Sequence, residues 1–360
     1  MVRLPKAHKK CFILFLFILW SIGLCGVLEA ACTYSVINGV RVMENQVCTE
    51  TVTIDGSAWS GGIIRNNVFK NQSSFGLAVK NLNNLTIENN EFYGMQNNGI
   101  SVRETQTVGT DNVIIQNNYF HDMPNSGIYV GEPNTNTKIL NNVFRNVGSN
   151  AQASVRQHGL YVKGPGFLVE GNTIDGVASA NGISVRTAGI VRSNYVTNVA
   201  DAGIKYFSDS NDIGNGLLII ENNVVVNNEG NGVGLIYSAD YGTPINSIVV
   251  RFNTCVNNTL GVWIEGFSQM HLEVYGNIIV ESNGNYTSFD ITPAVNTMNL
   301  KSTSDIGFVY FQQNDFHLTA TSQAINYASS VPGIPPYDYD KNSMGLNPYD
   351  AGAFQYHSDN

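Results

Sequence analysis

The chain has 360 residues, of which 28 are acidic and 19 basic, for a formal net charge of −9. An acidic surface lacks the basic footprint that phosphate backbones and anionic bilayers require, which argues against nucleic acid or a membrane surface as the main partner. The length would suit two ordinary domains, but an internal repeat overrides that expectation and points to one solenoid, read as a monomer.

Residues 1 to 31 read as a signal peptide. Lys6, His8, Lys9 and Lys10 precede an apolar run from Cys11 to Leu28, and Ala30-Ala31 offer small residues for cleavage. The run exceeds the usual signal-peptide core, so an uncleaved membrane anchor stays open. Either way the expected location is secreted, extracellular or periplasmic, with no membrane insertion if the segment is cleaved. Cys32 and Cys48 flank a short segment, and in an oxidising compartment they either pair or stay as thiols. Residues 32–61 are expected to start the solenoid and cover its open end.

From residue 62 to about 300 two landmarks recur. One is an asparagine turn, with its marker residue at 67, 90, 118, 142, 172, 194, 223, 253 and 277, spaced 22 to 30 residues apart. The other is a glycine followed by an apolar-x-apolar triplet, at Gly76, Gly99, Gly127, Gly159, Gly182, Gly203, Gly232 and Gly261. Three residues before each asparagine stands an isoleucine or valine, from Ile64 to Val274. Two residues after it stand Phe69, Phe92, Phe120, Phe144, Ile174, Val196, Val225, Cys255 and Ile279. Alternation with period 2 fits these segments and a helical period does not. Each coil therefore sends apolar side chains inward from three short strands, and asparagine suits both a left-handed corner and a stacked hydrogen-bonded column. Parallel crossovers are right-handed. The predicted fold is all-β, a right-handed parallel β-helix of about nine recognisable coils.

In these columns the chain resembles the right-handed parallel β-helix repeat family, the pectate-lyase-like superfamily of secreted polysaccharide-active proteins. The resemblance covers roughly residues 60 to 300 and is specific for fold rather than activity. Residues 301–360 read as a C-terminal capping segment, and the stretch from Asp315 to Phe354 resembles the tail of secreted β-helix proteins. Relatives carry an Asp-x-Asp-Gly-x-x-Arg loop there. This chain has Asp338-Tyr339-Asp340-Lys341-Asn342, without the glycine and arginine, so calcium at Asp338, Asp340 and Asn342 competes with a plain capping loop.

Alternation also assigns the outward positions of the glycine strand. Two residues after the glycine come Ala78, Ser101, Tyr129, Tyr161, Ser184, Lys205, Gly234 and Trp263. Four residues after it come Lys80, Arg103, Gly131, Lys163, Arg186, Phe207, Ile236 and Glu265. Coils repeat every ~4.8 Å, so Tyr129, Tyr161, Lys163, Arg186 and Lys205 should share one patch that Lys80 and Arg103 extend. Insertions at Glu104–Asp111, Ser208–Gly216, Ser238–Asn246 and Gly148–Gln157 flank this strand and would wall a groove.

Glycoside hydrolysis uses two carboxylates about 5 to 9 Å apart, and the stripe offers only Glu265 at its far end. A hydrolase would need loop acids such as Glu104, Glu132, Asp201 or Asp209. β-Elimination from a uronic acid suits the stripe better: a cation for the carboxylate, a base for the α-proton and an acid for the leaving oxygen. The expected partner is thus an acidic polysaccharide. Candidate catalytic residues are Lys163, Arg186, Tyr161, His158 and Lys205, and candidate substrate-binding residues are Arg103, Tyr129, Lys80 and Trp263. His158 is either a ladder member beside Gly159 or a catalytic base or acid next to Tyr161. The resemblance implies a lysine or arginine base, often with calcium. A non-catalytic carbohydrate-binding or surface β-helix, with Tyr129, Tyr161 and Trp263 as stacking platforms, remains the alternative, as do a hydrolase and a C5-epimerase.

Overall fold

The asparagine and glycine columns become three parallel sheets wrapped around one core. The computed structural model describes residues 32–103, 109–150, 156–208, 216–237, 245–266, 271–290 and 292–358. The expected signal segment, parts of all four insertions and the loop acids Glu104 and Asp209 lie outside the described residues. Among the described residues the first, second and third sheets have 12, 11 and 10 strands, all parallel apart from the terminal strand Ser35–Ile37, which pairs antiparallel with Val40–Glu44.

The registers follow the repeat residue by residue. In the first sheet Ile64 pairs with Ile87, which leads through Ile115, Ile139, Val169, Val191, Ile220 and Val250 to Val274. In the second sheet the column runs from Phe69 through Phe144 and Cys255 to Ile279. All these side chains are fully buried. The four phenylalanines stack nearly parallel, with centroids 4.6, 4.8 and 4.7 Å apart. The glycine column of the third sheet has a packing reason: a Cβ at Gly127 would stand 2.4 Å from the Phe144 ring and 2.8 Å from the Gly159 carbonyl oxygen.

The asparagine corner is divided between two residues that the sequence pattern merges. The residue before the marker takes the left-handed conformation, as at Asn66, Asn89, Asn117, Asn141 and Asn222, with φ between 54° and 56°. The marker asparagine turns inward instead. Asn67, Asn90, Asn118, Asn142 and their successors to Asn277 each donate from Nδ2 to Oδ1 of the next ladder residue, the last to Asn299, at 2.8–3.0 Å. A buried amide column whose polar atoms are all paired fixes coil register as well as stability.

The two ends differ. Cys32 and Cys48 form a disulfide, with Cα atoms 5.6 Å apart, and Val40–Glu44, Val47–Cys48 and Val52–Asp55 already pair with the first marked coil. The C-terminal segment lies along the outer side of the late coils. Outward positions there are apolar (Val224, Val226, Val256, Ile278, Val280), and Phe308, Phe316, Leu318, Ala353 and Phe354 cover them. Ala328 and Met344 pack on Val249, Phe252 and Tyr275. Tyr337 Oη donates to Glu170 at 2.7 Å. A strand apolar on both faces needs this cover.

The tail loop does not have the donor set for calcium, which takes six to eight oxygens. Asp338 is buried and accepts from the backbone N–H of Asn342 (2.8 Å) and Gln355 (3.3 Å). Asp340 accepts from His317 Nε2 at 2.7 Å. Its hydrogen bond and that of Asp315 hold the imidazole as a cation, with its pKa raised to about 9. The carboxylates thus serve separate partners. Among the described residues no helix is long and apolar enough to cross a membrane.

Candidate functional site

The outward face of the third sheet carries the site. Its strands Leu77–Lys80, Ile100–Val102, Ile128–Val130, Leu160–Val162, Ile183–Val185 and Ile204–Phe207 pair so that Ala78, Ser101, Tyr129, Tyr161, Ser184 and Lys205 form one row. A cleft of ≈ 440 Å³ opens over the middle of this row. Arg103, Tyr129, Arg156, Gln157 and Tyr161 line it, with Asn97, Asn98 and Ser126 at one edge. The Tyr129 and Tyr161 rings meet edge to face, 5.4 Å between centroids. Arg103 stacks on Phe75 at 4.2 Å and donates from Nε to Ser101 Oγ at 3.0 Å, so its guanidinium is held at the wall.

The cations beside Tyr161 occupy distinct places. Lys163 Nζ lies 5.7 Å from the Tyr161 ring centroid and 3.9 Å from Glu132 Oε1. Arg186 is buried, with its guanidinium carbon 4.7 Å from the Tyr161 ring and 5.3 Å from the Phe207 ring, and Nη1 donates to Ser184 Oγ at 2.7 Å. Both thus lie against Tyr161, as the one-coil spacing predicts, but neither is among the residues that line the cleft, and Arg186 is buried. Lys205 is also buried, and its Nζ donates to Asp201 Oδ2 at 3.0 Å. This corrects its reading as an open groove cation: the bulk of the neighbouring coils covers it and a carboxylate pairs it.

His158 is a ladder member. It is buried, its N–H donates to Ser126 Oγ at 2.9 Å, and Nδ1 accepts from the backbone N–H and side-chain amide of Asn181, both at 3.2 Å. An accepting Nδ1 leaves the proton on Nε2. Burial, and after it the charges of Arg186, Lys205 and Arg156, push its pKa down to about 3, so the imidazole is neutral. Its ring lies 5.0 Å from that of Tyr161 and buttresses it.

Two expected binding residues are not gathered into the cleft. Lys80 pairs with Asp55 at 3.1 Å, and Trp263 sits between Gly234 and Ser288, four strands beyond Tyr161. Sequence reasoning missed Arg156 and Gln157. Both close the Gly148–Gln157 insertion, and the sign to follow was a basic residue two positions before the ladder residue His158. Calcium does not suit the cleft either. Glu132 faces Lys163, Asp201 faces Arg156 and Lys205, and no group of three or more metal-binding side chains converges among the described residues.

Fold and cleft together define a parallel β-helix with a cationic, aromatic groove on one face. The chain belongs to the right handed beta helix region family, whose model matches residues 20–153 and 146–279. Comparison with curated sequences finds no match. Among solved structures it is similar to pectate lyase Pel9A, at 16% identity and TM-score 0.63, over 89% of this chain and 86% of that one. The A-module of the Azotobacter vinelandii mannuronan C-5 epimerase AlgE4 aligns at 13% identity and TM-score 0.46, over 73% and 87% of the two chains. The PL6 family alginate lyase AlyGC aligns at 13% and 0.40, over 86% and 58%. At 16% identity the likeness to the pectate lyase is one of fold.

Proposed function

We propose that the protein is an exported polysaccharide lyase that cleaves an acidic, uronate-containing polymer by β-elimination in the third-sheet cleft. The observation that carries this reading is the lining itself: two guanidinium groups and two phenol rings, with no carboxylate among the described lining residues. Retaining or inverting hydrolysis needs a carboxylate pair, and elimination does not. The shared fold with a pectate lyase adds an analogy at fold level only.

In this reading Arg103 and Arg156 hold the uronate carboxylate, a role that passes to them because Arg186 is buried. In its amine form Lys163 takes the C5 proton on Nζ. The C5–H electron pair becomes the C4=C5 double bond, the C4–O bond breaks, and Tyr161 protonates the leaving oxygen. The Arg186 guanidinium over the Tyr161 ring offsets the negative charge left on the phenol. His158, neutral and locked, keeps the ring in place.

The test is incubation of the whole chain with polygalacturonate, alginate and other polyuronates, followed by the ultraviolet absorbance of the unsaturated product. Turnover is expected on one of them. Lys163→Ala and Tyr161→Phe should each lower kcat at least ~100-fold, the usual scale for removing an acid or base, with polymer binding largely retained. Binding without turnover in the wild-type chain would refute the lyase reading and leave a carbohydrate-binding β-helix.

A further inference from the structure

Asp201 lies beside the cleft without lining it and is held by hydrogen bonds to its backbone and side chain. Its N–H donates to the Ala180 carbonyl and its own carbonyl accepts from Gly230 N–H, both at 3.1 Å, so the backbone is pinned by the coils on either side. One carboxylate oxygen, Oδ2, accepts from Lys205 Nζ at 3.0 Å and from Arg156 Nη1 at 2.8 Å. The Lys205 side chain is only 8% exposed, whereas that of Arg156 is 66% exposed. Resting on the function proposed above, we propose that Asp201 is a positioning residue that holds Arg156 at the cleft for a uronate carboxylate, with buried Lys205 fixing Asp201 in turn.

Charge and entropy both favour this role. A long exposed arginine loses rotamer freedom when a ligand orders it, and a tether in the free protein removes part of that cost. A carboxylate paired to Arg156 alone would cancel the charge meant for the substrate. Here one anion serves two cations, so the trio keeps a net positive charge at the rim. Arg156 and Asp201 come from different coils, 45 residues apart, so the sheet pairing that builds the fold also builds this contact.

The test is a thermodynamic cycle on whole-chain binding of polygalacturonate and alginate oligomers, measured by calorimetry at fixed salt. Asp201→Asn alone strands a buried lysine and can lower folding, so the working variant is Asp201→Asn with Lys205→Met, which removes the buried charge together with its partner. It should bind about fivefold more weakly, the upper range for one partly exposed ion pair. Arg156→Ala should cost more, and adding it to the double variant should give no loss beyond that of Arg156→Ala alone. Additive losses, or an unchanged double variant, would overturn the positioning role while the proposed function stands. Absence of binding by the wild-type chain to every oligomer would overturn both.

Discussion

Replacing Asn118 with alanine tests the architecture at its most exacting point. Asn118 Oδ1 accepts from the backbone N–H of Asn90 at 2.9 Å and from Asn90 Nδ2 at 3.0 Å. Its Nδ2 donates to the carbonyls of Ile87 and Gln116 and to Asn142 Oδ1, each at 3.0 Å. After truncation Asn90 Nδ2 keeps the carbonyls of Ile64 and Glu88, and Asn142 Oδ1 keeps the Asn118 backbone N–H. The Asn90 N–H loses its acceptor inside the core. One orphaned buried donor costs about 1–3 kcal/mol, and the other lost bonds about 1 kcal/mol net, so a loss of about 3 kcal/mol is expected. Urea denaturation with an unchanged m-value would read it, and hydrogen exchange should show the Asn90 amide losing protection. Asn118→Asp should cost more at neutral pH, because it sets a carboxylate against three acceptor oxygens. A change under about 1 kcal/mol for the alanine variant, or an Asn90 amide still fully protected, would mean that the ladder carries little of the stability.

Two further outcomes follow from the core. Phe120→Ala removes the third ring of a stack of four and should cost about 3–5 kcal/mol; a melt within error of the wild type would show that the stack relaxes at no cost. Glu281 ends a second ladder, in which Asn258 donates from its backbone N–H at 2.5 Å and from Nδ2 at 3.2 Å. Burial raises its carboxyl from 4.5 to about 8. Between these values the folded chain binds the extra proton, so stability is complete below the unfolded value and falls as pH rises toward 8, by up to about 1.4 kcal/mol per pH unit. Glu281→Gln keeps the acceptor and should flatten the melting temperature between pH 5 and 8; an equally steep variant would assign the dependence elsewhere.

Much of the fold was legible because a solenoid repeats its physics. Any one coil offers weak evidence, but Ile64 to Val274 and Phe69 to Ile279 repeat one inward choice nine times, and the registers pair those residues. What repetition does not encode stayed hidden. The tail is not a repeat, and its place could have been read only from the outward valines at 224, 226 and 256, which a two-faced strand needs to cover. At the site, alternation placed Tyr129, Tyr161, Lys163 and Arg186 on one face. It could not tell which cations are exposed, since burial of Arg186 and Lys205 depends on ring sandwiches and an acid from a neighbouring turn. Arg156 lies outside the strict period, and so outside what periodicity can assign.

The three sheets present different outer faces, and the proposed site lies on the third. In the second sheet the late outward positions are apolar and the tail covers them, and part of the first sheet meets the same tail. The third sheet alternates differently: its outward row through Ser101, Tyr129, Tyr161 and Ser184 is small or aromatic, with cations one step further along the strand. Small residues leave room beside tall ones, and stacked strands hold both on a rigid, regularly spaced base. A polymer laid along the solenoid would therefore meet a new coil every ~4.8 Å, with Arg103, Tyr129 and Tyr161 presented in sequence.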